Sequence, residues 1–310
     1  VLGGSGYTGR ELLFLLGRHP GVEVVFATSR GEIGRRTPSP GLTYSALDEG
    51  RVREVDTVFL CLPHGESISW VERLSGGPRI VDLTADHRPG SGRESGVVYG
   101  LNEWFRSEVA DAQVVANPGC YPTGVLLSLL PLSQQGAVDV DRLTVVQAAS
   151  GVTGAGRSPR LDLQFAEVAG NFRAYGWGNQ HRHLLEMRAL LGEEMPLLFQ
   201  PHLLPVARGI LETLVVPVRP GVDASRVREI WNARYAEEPL VDLLSEGLPE
   251  LAQAVGKDSV ALGVVDAENT GKPVVLVGVA LDNLGKGAAG QAVQNLNAMH
   301  NWPTDRGLRT

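Results

Sequence analysis

The sequence predicts an α/β protein in two parts. A doubly wound, parallel-sheet domain comes first, followed by an α+β domain whose sheet is mostly antiparallel. Three observations carry this. Over residues 1–119, β-branched runs alternate with segments of helical period, the rhythm of βαβ units. Beyond residue 119 the strands lengthen and their spacing becomes irregular, as in α+β domains. The length, 310 residues, suits two cores at roughly 150 residues per domain.

Val1-Leu2 reads as the end of a strand and runs into Gly3-Gly4-Ser5-Gly6-Tyr7-Thr8-Gly9. Residues 10–18 then place Leu12, Leu13, Leu15 and Leu16 at helical spacing. Residues 22–28, 55–62, 79–83 and 114–116 read as buried parallel strands, with a helix over 67–74. An apolar helix over 125–132 starts near Cys120. Strands follow over 143–149, 197–200, 210–218 and 273–281, and 151–157 reads as a flexible loop. Residues 290–299 read as a helix that packs back on the first domain. The expected division is 1–119 with 285–310, and 120–284.

Composition excludes several classes. With 28 Lys+Arg against 35 Asp+Glu, the net charge of −7 offers no basic surface for nucleic acid or anionic lipid. No apolar run approaches the roughly 18 residues of a membrane helix. Two cysteines rule out a disulfide scaffold and a cysteine zinc site, so no metal is expected. No secretory leader is visible, and a reducing cytoplasm is the expected compartment. The sequence starts at Val1, so a few residues are expected ahead of it.

Gly3, Gly6 and Gly9 form G-x-x-G-x-x-G between a strand and a helix. In that context the first glycine permits a tight turn and the second lets backbone approach a pyrophosphate, which the helix N-terminus then faces. An NAD-specific site usually carries an acid at the end of the second strand. Here the strand ends Ala27-Thr28-Ser29-Arg30. A hydroxyl beside a guanidinium suits a 2′-phosphate, so NADP(H) is the expected cofactor.

Cys120 follows the turn Asn117-Pro118-Gly119 and opens the apolar helix. A helix N-terminus lowers a thiol pKa and favours the nucleophilic thiolate. Cys61 sits inside a strand and reads as an inert hydrophobe. Of seven histidines, His19, His87 and His300 have no constellation around them and read as surface residues. His181 and His183 cluster with Glu186 just before an apolar helix, and Glu186 shares a helix face with His183. A carboxylate that orients an imidazole is a common acid–base arrangement, whereas H-x-H alone makes a poor metal site. Arg208, at a turn, is a candidate anchor for an anionic substrate. Asn283 offers an amide suited to a carboxamide such as nicotinamide's.

These stretches together resemble the N-acetyl-γ-glutamyl-phosphate reductases, relatives of the aspartate-semialdehyde dehydrogenases. The matching segments are GGSGYTGREL, CLPHG, VDLTADHR, NPGCYPTG, SGVTGAGR, HRHLLE, PHLLPVARGIL and DNLGKGAAGQAVQNLN, in family order across nearly the whole chain. The resemblance implies a Rossmann domain, a catalytic α+β domain, NADP(H), a small acyl-phosphate substrate and a homodimer or homotetramer. It implies Cys120 as nucleophile and His183 as acid–base, with His181 and Glu186 beside it. Cofactor contacts are implied for Gly3, Ser5, Gly6, Tyr7, Thr8, Gly9, Ser29, Arg30, Pro63, Ser150, Gly151 and Asn283. Substrate contacts are implied for Asn117, Arg157, His202 and Arg208. Two positions depart from the pattern: Leu185 stands where the family usually has Pro, and Gly285 where a β-branched residue is commoner.

The implied reaction is attack of the Cys120 thiolate on an acyl phosphate, loss of phosphate, and reduction of the thioester to a semialdehyde. Three other readings stand beside it. One is a sister reductase acting on a carrier-linked aminoadipate phosphate, whose nucleophile precedes Asn-Ala rather than Tyr121-Pro122. Another is a non-catalytic NADP-binding sensor, which would have no use for Cys120, His181, His183 and Arg208. The third is a thiol hydrolase, which leaves the dinucleotide half unexplained.

Overall fold

The alternation in the first part of the sequence becomes a parallel sheet in the computed structural model, which describes residues 1–310. The chain divides into two units, Val1–Gly119 with Ala288–Arg309, and Cys120–Gly287. The first carries α1 (Tyr7–Leu16), β1 (Ala27–Thr28), β2 (Tyr44–Ser45), α2 (Glu49–Arg53) and β3 (Thr57–Leu60). It continues with α3 (Ser67–Arg73), β4 (Arg79–Asp82), β5 (Val98–Tyr99), α4 (Asn102–Asp111) and β6 (Val114–Ala116). Strands order β3-β4-β6-β5, all parallel, with β1-β2 as a separate parallel pair. Leu2 bridges Leu60 in parallel. Leu12 and Leu13 on α1 are fully buried with Phe59, Val81 and Val115, each leucine contributing about 1.5–3 kcal/mol.

The strand expected over residues 22–28 shortens to Ala27–Thr28. Val1 lies beside it: its amino group bonds the Phe26 carbonyl at 3.0 Å and its carbonyl accepts from the Thr28 N–H at 2.9 Å. Val25, just ahead of the strand, is 45% exposed.

The three histidines expected on the surface are all engaged. His19 is buried and bonds Asn297 at 2.9 Å. His87 is buried against Asp82 at 2.7 Å. His300 is half-buried and bonds Thr57 at 3.0 Å. The partners of His19 and His300 lie 278 and 243 residues away, where the local sequence carries no sign of them; Asp82 stands five residues before His87.

The second unit opens with α5 (Cys120–Gln134), followed by β7 (Thr144–Gly151), α6 (Phe165–Val168), β8 (Arg173–Ala174), α7 (His183–Leu191) and β9 (Leu197–Leu204). Then come β10 (Ile210–Pro217), α8 (Ala224–Tyr235), β11 (Val241–Leu243), α9 (Leu251–Ala254), β12 (Val260–Asp266) and β13 (Val274–Leu281). Seven strands order β11-β12-β13-β10-β7-β9-β8. The run β12-β13-β10-β7 is antiparallel and so is β9-β8, while β7-β9 and β11-β12 are parallel.

The helix α5 is buried from Tyr121 through Leu132 and contains Pro131. Proline has no N–H, so the carbonyl four residues earlier loses its helical donor. That carbonyl belongs to Leu127, and the Tyr235 hydroxyl on α8 donates to it at 2.7 Å. Trp231 from the same helix donates to the Ser128 carbonyl at 3.0 Å. The proline is tolerated because α8 supplies the missing bond.

The final helix, α10 (Gly290–Met299), belongs to the first unit and is buried along its whole length. Gln291, Gln294, Asn295 and Asn297 are all fully buried on it. Their amides donate to the Gly100 carbonyl, Glu103, Asn117 and the Thr304 carbonyl at 2.9–3.1 Å, as buried polar groups require. No helix is long and apolar enough to cross a membrane.

Candidate active site

Cys120 is the first residue of α5, so its sulfur lies at the positive end of a long helix macrodipole. The close approach of Gly287 fixes its backbone: a Cβ at 287 would stand 2.9 Å from the Cys120 Cβ. Around the thiol lies a cavity of about 490 Å³. Its walls include Tyr121, Ser150, Gly151, Tyr175, His181 and His183, and its rim carries Arg160, Arg173 and Arg182. Thus Cys120 and the two histidines of the HRH motif share one cavity.

The histidines are positioned by α7. His183 opens the helix and is 5% exposed, and Glu186, one turn on, is buried too. His181 precedes the helix, and its Nδ1 accepts the His183 backbone N–H at 3.2 Å. In the neutral ring this leaves the proton on Nε2. Burial, aided by the positive charge of Arg182, pushes the His181 pKa down to about 4, so the ring is neutral at pH 7. The two imidazoles pack edge to face, centroids 4.8 Å apart, and both also contact the Tyr121 ring.

Tyr121 and Tyr175 join hydroxyl to hydroxyl at 2.9 Å. Burial raises Tyr175 to about 12 and Tyr121 well above its ordinary value, so both are neutral hydrogen-bonding groups. Gly151 ends β7, where a Cβ would meet Ala207 and Arg208 backbone at 2.8 Å. The following segment, expected to be flexible, is a 3₁₀ turn held by Val152 and Thr153 N–H bonds to Val206 and Ala207 at 2.9 and 3.2 Å.

The other expected substrate residues lie elsewhere. Arg208 pairs with the fully buried Asp282 at 3.0 Å and does not line the cavity. Leaving that carboxylate unpaired would cost several kcal/mol, on the order of 3–5, which explains where the guanidinium goes. Asn283 accepts from the Gly209 N–H at 2.8 Å and donates to Thr153 at 3.0 Å. Its amide is therefore occupied within its own unit, whereas the sequence suggested a carboxamide partner. In the first unit, Asn117 donates to the Ala288 carbonyl at 3.1 Å and accepts from Asn295 at 3.1 Å. His202 stacks on Phe172, centroids 5.0 Å apart, and Arg157 is exposed.

Sequence reasoning missed Tyr175, Arg160, Arg173 and Arg182. Arg182 lies between the two histidines, a position that would have marked it. Arg160 and Arg173 meet only through Asp162, which takes Arg160 at 2.7 Å and Arg173 at 3.4 Å. No local pattern announces that meeting.

The glycine loop of the first unit has the shape a dinucleotide phosphate needs. Gly3 has φ +79°, and a Cβ there would collide with the Cys61 carbonyl. At Gly9 a Cβ would stand 2.8 Å from the Gly3 oxygen. Gly6 caps α1 without a side-chain bond, and its Cβ direction is open to 4.0 Å. Tyr7 and Thr8 begin the helix, and Ser5 accepts from the Ser29 hydroxyl at 2.9 Å. Pro63 follows β3 and is exposed, as is Arg30. No group of three or more His, Cys, Asp or Glu is arranged to hold a metal.

Comparison with known proteins agrees with this division of labour. Residues 1–112 match the semialdehyde dehydrogenase NAD binding domain, and residues 120–283 the semialdehyde dehydrogenase dimerisation domain. Aspartate semialdehyde dehydrogenase II of Vibrio cholerae, complexed with ASA, shares the fold at TM-score 0.78 and 19% identity, over 97% of each chain. The enzyme of Candida albicans with NADP does so at TM-score 0.69 and 17% identity, over 96% of this chain and 97% of that one. Fold and matched domains define an oxidoreductase of the semialdehyde dehydrogenase class. N-acetyl-γ-glutamyl-phosphate reductase of Marinobacter nauticus is 40% identical, over 99% of this chain and 96% of that protein. The Bordetella pertussis reductase is 38% identical, over 99% and 95%. The chain belongs to the N-acetyl-γ-glutamyl-phosphate reductase family.

Proposed function

We propose that this chain reduces N-acetyl-γ-glutamyl phosphate to N-acetylglutamate semialdehyde and inorganic phosphate with NADPH, as a step of arginine biosynthesis. One observation carries the reading: Cys120, at a helix N-terminus, shares a cavity with His181 and His183 in a chain of this family. Gly3, Gly6 and Gly9 hold the pyrophosphate, and Ser29 and Arg30 the 2′-phosphate. Bound NADPH supplies the hydride.

The chain's own groups do the rest. The Cys120 thiolate attacks the acyl carbon and phosphate departs, leaving a thioester. Arg160, Arg173 and Arg182 at the rim attract the phosphate and substrate carboxylate. Once the acyl carbon is reduced, its oxygen takes a proton from His183, and as the C–S bond breaks to release aldehyde and thiolate the proton returns to His183. Glu186 orients His183. His181, with its low pKa and its proton on Nε2, donates a hydrogen bond without itself becoming cationic.

The protein works as a homodimer or homotetramer in the cytoplasm. Leu161, Phe165, Phe172, Trp177 and Leu185 are exposed within one stretch of the second unit. Association with a second copy through this segment would cover these apolar side chains. Light scattering reads the assembly size.

The test of the activity is an assay in the reverse direction, with inorganic phosphate and either NADP or NAD. N-acetylglutamate semialdehyde is expected to give phosphate-dependent NADPH formation, faster than aspartate semialdehyde or glutamate semialdehyde. A rate that is highest with either of the other aldehydes, or independent of phosphate, overturns the reading.

A further inference from the structure

Arg30 is clasped by a carboxylate. Its two terminal nitrogens meet the two oxygens of Glu66 at 3.1 and 2.6 Å, the parallel fork with which guanidinium also takes a phosphate. Glu66 immediately precedes α3 and makes no capping bond to it. That duty falls to Asp86, whose carboxylate accepts the Gly65 N–H at 2.7 Å, the Ser67 N–H at 3.2 Å and the Ser67 hydroxyl at 2.8 Å. Burial alone would raise the Asp86 pKa, but these bonds hold it below its ordinary value. With the helix end satisfied, Glu66 is left to face Arg30. Next to Arg30 in the chain, the Ser29 hydroxyl donates to that of Ser5 at 2.9 Å.

We infer that Glu66 is a specificity-determining residue that competes with the 2′-phosphate of NADP(H) for Arg30. The inference rests on the assignment of Arg30 to the 2′-phosphate. NADP must displace the carboxylate and then tolerate it nearby, whereas NAD, which lacks that phosphate, leaves the clasp intact. Glu66 therefore weakens NADP binding selectively and speeds its release. The pair is solvent-exposed, Arg30 at 83% and Glu66 at 34%, so the competition is moderate and salt-sensitive.

Equilibrium titration of the full chain with NADP+ and with NAD+ tests this, using E66Q, R30A and the double variant. E66Q is expected to tighten NADP+ by about fivefold at low salt, the upper end for an exposed pair, with little change in NAD+ affinity. In the R30A background the same substitution should have a much smaller effect. Equal tightening of both nucleotides, or no tightening of NADP+, overturns the role of Glu66. If R30A weakens NADP+ selectively while E66Q changes nothing, the Glu66 inference alone fails. If R30A leaves the NADP/NAD preference unchanged, the assignment of Arg30 fails and takes the inference with it.

Discussion

Gly287 lies against Cys120 so closely that a single added carbon would come within 2.9 Å of the cysteine Cβ. The same carbon would meet a Leu281 methyl at 3.0 Å and the Asp282 carbonyl at 3.1 Å, so it would be crowded on those sides as well. Gly287→Ala should cost about 1–3 kcal/mol of stability, the usual penalty for overpacking. It should also lower turnover by displacing the thiol. Denaturant unfolding and steady-state rates check both, and an alanine variant with unaltered turnover would argue that the thiol position is not critical.

The two cysteines should separate cleanly by reactivity. Burial pushes the Cys61 thiol up to about 12, so it stays protonated and inert near neutral pH. Cys120→Ser should abolish reductase turnover and leave NADP(H) binding intact, while Cys61→Ser keeps most activity. Iodoacetamide labelling followed by peptide mapping should find Cys120 modified first. Loss of activity in the Cys61 variant with survival of the Cys120 variant would reverse the assignment.

His183→Asn should cut turnover by roughly 10²–10⁴, and His181→Asn by less. His181 also makes stability depend on pH. Its folded pKa of about 4 lies below the ordinary 6.5, so between these values the unfolded chain binds more protons. Its contribution is fully present above pH 6.5 and is lost as pH falls through about 4. Urea midpoints at pH 4.5 and 7.5 should differ less in His181→Asn than in the parent protein.

Glu212, on β10, is fully buried, and neither carboxyl oxygen has a hydrogen-bond partner. It occupies the space that a Cβ at Gly124 would take. Burial raises its pKa well above 4.5, so its contribution is full below that value and lost as pH rises toward the folded pKa. Glu212→Gln should raise stability at pH 8 by on the order of 1–3 kcal/mol and flatten its fall with pH. A variant that melts lower than the parent at pH 8 would show that the carboxyl is better satisfied than its surroundings suggest.

The site residues legible in the sequence were those whose chemistry is local. A thiol after a turn, a glycine loop between strand and helix, and an HRH segment before an apolar helix carry their meaning within a few residues. What was illegible depends on distant partners. Arg208 meets Asp282 across 74 residues, and His19 meets Asn297 across 278. The strand Val260–Asp266 was overlooked because its run alternates neither with polar residues nor with a neighbouring helix.

Because α10 completes the first unit, the order of synthesis and the order of assembly do not coincide. A ribosome makes Val1–Gly119, then all of Cys120–Gly287, before the helix that fills the earlier core exists. At roughly 5–20 residues per second this leaves the nascent first unit waiting on the order of ten to thirty seconds. Leu12, Leu13 and Val115 are without Ala292, Val293 and Leu296 over that interval. The second unit, continuous in the chain, is free to fold first. A premature stop near residue 288 would therefore leave the catalytic unit whole and turn the nucleotide-binding unit into a chaperone client.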